Sequence, residues 1–304
     1  MYKIVAVLTL FLGLIACNSV EPKSESHQEE NVNLEIVDTT KVAVEKKDTL
    51  RSLLGHSFEF ELNAEDIEAS LEFYKIIGFE LINSDKDKKN GINYRLCDGS
   101  VNITLLNNQT MKFYQSINII RSESFKELDN LSNALDIRDR INFQPLSKIY
   151  RIELQGSELN LGILLGDKNK FYTMGAIFDN LDFATLKFPN PVLGVFGEYA
   201  IAVDSVENEM EFYKKLGFKT HGIMGGPEKY TIMYDGVFPI GLHKTNQWTG
   251  AHITYFGSDT ENQAKILKEK GVNIKPFMVE GKSLPKNYIL TDPMGNEIFM
   301  FSIN

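Results

Sequence analysis

After a first apolar stretch, two periodicities alternate along the chain. Ile4 to Leu12 (IVAVLTLFL) form an apolar run behind a single cation, Lys3, too short for a comfortable bilayer span and placed where an export signal stands. From residue 18 to about 50 the chain is polar, acidic at first and nearly free of aromatics, the composition of a flexible tether. Val32 to Val37 and Val42 to Val44 alternate enough to pair as an edge strand. Beyond the tether, short segments of period two lead into segments with apolar residues at helical spacing, and this combination recurs.

The recurrence is an internal repeat. EFELNAEDIEASLEFYKIIGFEL begins at Glu59 and EYAIAVDSVENEMEFYKKLGFKT at Glu198, 139 residues on, in register through Glu68/Glu207, Phe73/Phe212, Tyr74/Tyr213, Gly78/Gly217 and Phe79/Phe218. Each copy predicts an alternating strand, an acidic helix start such as Asp204 with Glu207 three residues on, and an amphipathic helix. The apolar faces are Ile67, Leu71, Tyr74, Ile77 and Val206, Met210, Tyr213, Leu216. Gly78 and Gly217 suit left-handed positions that end the helices. Strands follow at Gly91 to Cys97 with Val101 to Leu106, and at Tyr230 to Tyr234 with Phe238 to Lys244, each pair joined through an Asp-Gly turn. The unit is βαβββ.

A more divergent unit follows each copy. In the second half it comprises Ala251 to Phe256, a helix from Thr260 to Lys270, and a hairpin of Tyr288 to Leu290 with Glu297 to Phe301 across Asp292-Pro293-Met294-Gly295-Asn296. In the first half, Ser116 to Ile120, Ser124 to Leu135, Ile149 to Leu154 and Leu159 to Leu165 keep the same order. The fold class is α+β: two domains of paired units with flanking helices, parted near Pro189-Asn190-Pro191. The expected boundaries are 1–16 for the signal, 17–55 for the tether, and 56–188 and 189–304 for the domains.

Charge and cysteines narrow the function classes. With 32 basic against 41 acidic residues, net −9, and no basic patch interleaved with aromatics, nucleic acid is not an expected partner. Leu14-Ile15-Ala16-Cys17 resembles the lipobox of bacterial lipoproteins. The resemblance implies cleavage before Cys17, lipid on its thiol, the membrane as partner, and a place in the cell envelope on the outer membrane or a periplasmic face. Cys97 is then left without an intramolecular disulfide partner and reads as a small buried hydrophobe. No Ser-His-Asp or Cys-His arrangement can be assembled. The glycines of 222–226 join strands and do not open a helix, a poor match to a phosphate cradle.

The strand, acidic helix start, Phe-Tyr, Gly-Phe and closing Asp-Pro-x-Gly-Asn hairpin together resemble the vicinal oxygen chelate superfamily, over roughly 57–304. That superfamily includes glyoxalase I, extradiol dioxygenases, fosfomycin-resistance enzymes and bleomycin-binding proteins. The resemblance implies that paired units curl into a β-cup, often with a divalent metal inside. It places the first ligand at Glu198, the second at Gly241 or, two residues on and on the same face, His243, the third at His252, and the fourth at Phe299, with Glu297 two residues early. Glu198, His243 and His252 would suit Zn, Fe, Mn or Ni with one position open, Glu198 serving as ligand or general base. The alternative is that both histidines are hydrogen-bonded strand residues and Glu198 a solvated strand-end carboxylate. His221 and Trp248 are candidate lining residues beside Phe299 and Glu297. In the first half the matching positions are Glu59, about Thr104, Ser116 and a residue near Asn160, with no histidine among them: a degenerate copy. The expected function is a tethered cup holding a small, partly apolar molecule without full metal chemistry. The alternatives are a metal-dependent lyase, isomerase or dioxygenase acting on vicinal oxygens, and a scaffold lipoprotein. A homodimer is a further candidate state.

Overall fold

The computed structural model describes residues 54–55, 57–87, 91–107, 115–121, 141–144, 149–153, 160–165, 189–220, 222–225, 228–279 and 281–303. The expected signal, Cys17, nearly all of the tether and the helix at Ser124 to Leu135 lie outside them. None of the described helices is long and apolar enough to cross a membrane.

In β1 (Ser57–Asn63), Phe58, Phe60 and Leu62 alternate with Glu59 and Glu61, so one face is apolar and packs into the core. Helix α1 (Ile67–Ile76) follows, with the Asp66 carboxylate accepting from the Ala69 N–H at 2.9 Å. It stops at Gly78, which takes φ 100°. The strands β2 (Glu80–Asp87), β3 (Gly91–Cys97) and β4 (Asn102–Leu106) complete the first unit. The second contributes β5 (Gln115–Arg121), β6 (Ile141–Gln144), β7 (Ile149–Glu153) and β8 (Asn160–Leu165).

The other half repeats the plan. The third unit runs β9 (Val195–Ala202), α2 (Val206–Lys215), β10 (Lys219–Thr220), β11 (Met224–Gly225), β12 (Lys229–Tyr234) and β13 (Pro239–His243). The fourth runs β14 (Ala251–Gly257), α3 (Thr260–Glu269), β15 (Asn273–Val279), β16 (Lys282–Thr291) and β17 (Glu297–Ser302). The cap of α2 is Ser205, not Asp204: its hydroxyl accepts from the Asn208 N–H. Strand β15 does not alternate (NIKPFMV) because Pro276 interrupts it. A residue without an N–H is tolerated there because β15 is an edge strand, and the register shifts beside it.

Each half forms one sheet, in the orders β2-β3-β4-β1-β5-β8-β7-β6 and β10-β12-β13-β9-β14-β17-β16-β15, with β11 added on β12. The opening strands of the paired units, β1 with β5 and β9 with β14, lie antiparallel at the centre. Each is flanked by the last strand of its own unit, in parallel.

The two sheets share one core. Phe58 meets Phe196 and Phe238 at 5.7 and 4.7 Å between centroids, and Phe60 meets Tyr199 at 5.3 Å. Two hydrogen bonds cross between the halves in opposite senses. The Tyr74 hydroxyl of α1 donates to Asp292 Oδ2 at 3.1 Å, in the closing hairpin, and the Tyr255 hydroxyl of β14 donates to Asp98 Oδ2 at 2.5 Å, in the first Asp-Gly turn. At the Pro-Asn-Pro seam, Asn190 donates to the Ile77 carbonyl and to Asp98, and accepts from the Val192 and Leu193 N–H groups. Its side chain fills the space a Cβ on Gly78 would need, 2.5 Å from Oδ1.

Candidate functional site

Strand alternation decides which residues of the second sheet look away from the shared core. Tyr199 and Ile201 of β9, Ile240 and Leu242 of β13, Ile253 and Tyr255 of β14, and Ile298 and Met300 of β17 belong to the core. Their neighbours Glu198, Gly241, His243, His252, Thr254, Glu297, Phe299 and Phe301 therefore lie on the opposite, inner face. Where Thr254 pairs with Glu198 but Tyr255 pairs with Phe196, Gly197 is left as an extra residue, a β-bulge one position before Glu198. A Cβ on Gly197 would lie 2.1 Å from the Phe256 ring.

Glu198 is 3% exposed. It is not a solvated strand-end carboxylate, because its side chain lies over the backbone of Gly241. A Cβ there would stand 1.9 Å from Oε2. Oε1 lies 3.1 Å from His243 Nε2, while Oε2 is buried with no hydrogen-bond donor on it among the described residues. Tyr230 stands opposite His243 in the β12–β13 pair, and the two rings are parallel within 6° at 5.5 Å. Burial, and then the charge of Glu198, push the Tyr230 phenol up.

His252 belongs to a different set of contacts. Its Nε2 donates to the Thr249 carbonyl at 3.1 Å, and since a carbonyl only accepts, the proton of the neutral ring sits on Nε2. Nδ1 lies 4.0 Å from Glu297 Oε2, and Glu297 is held by Lys275 at 2.7 Å. Burial lowers the His252 pKa, against the opposing charge of Glu297. Phe299, 1% exposed, stacks on the imidazole at 4.4 Å and 17°. The Trp248 indole touches both sets, 5.5 Å from His243, 5.0 Å from His252 and 5.8 Å from Phe299. Phe277 and Phe301 extend the aromatic layer beyond Phe299.

These residues do not fit a divalent cation. Among the described residues no group of three His, Cys, Asp or Glu side chains could hold a metal ion. Of Glu198, His243 and His252, expected as one ligand set, Glu198 and His243 are in contact. His252 Nδ1 instead faces Glu297 at 4.0 Å without a hydrogen bond among the described residues, and the indole meets both histidines. Phe299 supplies a ring where a carboxylate would be needed, and Lys275 already occupies Glu297. His221 lies outside the described residues.

The first sheet treats the same positions differently. Glu59, 5% exposed, accepts from Thr104 Oγ1 at 3.2 Å and stands 3.6 Å from Arg95 Nε, both on Oε2. Thr104 pairs with Glu61 and Arg95, as Gly241 pairs with Ala200 and Ile232. The structural counterparts of Thr104 and Arg95 are thus Gly241 and Ile232. Ser116 pairs with Glu61 as His252 pairs with Ala200, and Asn160 sits one residue before the Ile117 partner as Glu297 sits one before the Ile253 partner.

No protein-family model matches the sequence, and no curated protein matches it. Solved structures do. A catechol 2,3-dioxygenase superposes with a TM-score of 0.52 at 13% identity, over 82% of this chain and 87% of that one. The homoprotocatechuate 2,3-dioxygenase of Arthrobacter globiformis gives 0.50 at 14% identity, over 84% and 81%. The 2,2',3-trihydroxybiphenyl 1,2-dioxygenase of the dibenzofuran-degrading Sphingomonas wittichii gives 0.50 at 12%, over 83% and 90%. The chain has the vicinal oxygen chelate fold. Among the described residues it comprises two sheets of the same strand order packed on one core.

Sequence reasoning passed over Tyr230, Phe277 and Arg95. Placing the β12–β13 turn would have set Tyr230 against His243, but the Gly-Val-Phe after Asp235 leaves the hairpin register open. Phe277 was hidden by the broken alternation of β15. Arg95 follows from the repeat only once the two-residue difference between the segments joining Phe79 to β3 and Phe218 to β12 is allowed for.

Proposed function

We propose that this chain is a membrane-tethered binding protein that holds a small, partly apolar molecule against the inner face of its second sheet, without metal chemistry. The observation that carries the reading is Phe299 stacked on His252, a ring at the place where the resemblance asks for a carboxylate. The half-buried rings of Trp248, Tyr230 and His243 offer flat surface with a few polar atoms among them, the usual make-up of a small-molecule site. The tether rests on the lipobox ending at Cys17, and an envelope location follows from it. The test is metal content of protein purified without chelator, together with melting-temperature shifts against a panel of neutral aromatic molecules. Expected are substoichiometric metal and at least one stabilising ligand, since a molecule selective for the folded state must stabilise it. One equivalent of Fe, Zn, Mn or Ni that disappears in His252→Ala would overturn the reading. It would favour the second one, a metal-dependent lyase, isomerase or dioxygenase, which has in its support that Glu198 and His252 share one face of neighbouring strands.

A further inference from the structure

The repeat contains its own control for Glu198. In the first sheet, Oε2 of Glu59 has Arg95 and Thr104 beside it, a cation and a hydroxyl donor from the flanking strands. In the second sheet the two positions are Ile232 and Gly241, which offer neither. His243 meets Oε1. Oε2 is left in a niche opened by Gly241, buried and without a donor among the described residues. A buried carboxylate oxygen lacking a partner is costly, and the cost is relieved by a charge-assisted N–H donor. Around the imidazole that meets Oε1 stand half-buried rings: Tyr230 parallel to His243, and Trp248 tilted 59° against it. Aromatic faces beside a carboxylate suit an organic cation, attracted by both the charge and the ring quadrupoles.

We propose that Glu198, with Tyr230, His243 and Trp248, recognises a small organic cation, an amine or amidine on an apolar body, whose N–H donates to Oε2 in the place that Arg95 fills in the first sheet. This names the ligand class for the binding reading above and rests on it. His243 holds Oε1 and so orients the carboxylate. Gly241 leaves the space that the carboxylate fills, and the ligand's apolar part lies along Trp248.

Trp248 is the single tryptophan of the chain, so its fluorescence reports on this face alone. The full-length chain in detergent micelles is titrated with phenethylammonium and with 2-phenylethanol, a neutral molecule of similar shape. The ammonium is expected to bind about tenfold more tightly or better, a preference for the charged head. Glu198→Gln is expected to erase that preference, so that the two molecules bind equally. Ile232→Arg, which puts the first sheet's cation into the second, is expected to erase it too with Glu198 intact, and stands in if Glu198→Gln does not fold. Equal affinities in the unaltered chain, or a preference that survives both variants, would overturn the cation site while leaving an apolar binding cup in place. An ammonium that changes neither the fluorescence nor the melting temperature, while neutral aromatics do, would overturn it as well. If no aromatic molecule of either kind acts, the cation site and the binding reading fail together.

Discussion

Glu59 and Glu198 stand at the same register position in two sheets of the same strand order, and only Glu59 has a cation beside its second oxygen. The difference comes from two neighbouring positions, Arg95 and Thr104 against Ile232 and Gly241.

The niche at Gly241 predicts a conditional penalty. Gly241→Ala places a methyl where Oε2 lies and is expected to cost about 1–3 kcal/mol through overpacking. In a Glu198→Ala background the same change should cost less, because the close approach that remains is to His243 Nε2 at 2.8 Å. Urea unfolding of the four proteins of this cycle measures the coupling. Equal penalties in both backgrounds would show that the carboxylate does not occupy the niche.

Phe299 is fully buried between His252, Trp248 and Phe277. Phe299→Ala is expected to destabilise by about 3–5 kcal/mol, as for other buried aromatic deletions. Denaturant midpoints check this. A loss below about 1 kcal/mol would mean that the ring is not packed as described.

The crossed tyrosine–aspartate bonds predict an interface whose two ends differ in cost. Tyr74→Phe removes one of the donors on Asp292 and should cost about 1 kcal/mol. Asp292→Ala should cost more, about 2–3 kcal/mol, because it also strands the Met294 and Asn296 N–H groups that hold the closing hairpin. The order of the two losses in equilibrium unfolding is the test, and the reverse order would contradict it.

His252 predicts a pH dependence with a definite sign. Burial favours its neutral form, so its folded pKa lies below the unfolded value of about 6.5. The stability linked to this group is present above about pH 6.5 and is lost as pH falls through the lowered folded pKa. Melting temperatures at about pH 5 and about pH 7.5 should therefore differ less in His252→Gln than in the unaltered chain. An imidazole carbon shift titrating at or above the ordinary histidine range would contradict this assignment.

Much of the fold was legible in the chain itself, because local physics reports it directly. The repeat from Glu59 and Glu198, the periodicities of two and 3.6, and the glycines at 78 and 217 are contained in the order of residues, and the plan of the first and third units followed from them, whereas β6 of the second did not. The exceptions were local as well: Ser205 displaced Asp204 as a cap, and Pro276 concealed β15. The resemblance, position by position, also grouped Glu198, His243, His252 and Phe299 on one face. What alternation could not supply was distance along that face. Only the packed sheet decided that Glu198 closes on His243 over Gly241, that His252 turns to the Thr249 carbonyl, and that the Trp248 ring contacts both imidazoles. Those outcomes depend on inter-strand register and on rings competing for one volume, and such long-range contacts have no periodic trace in the sequence.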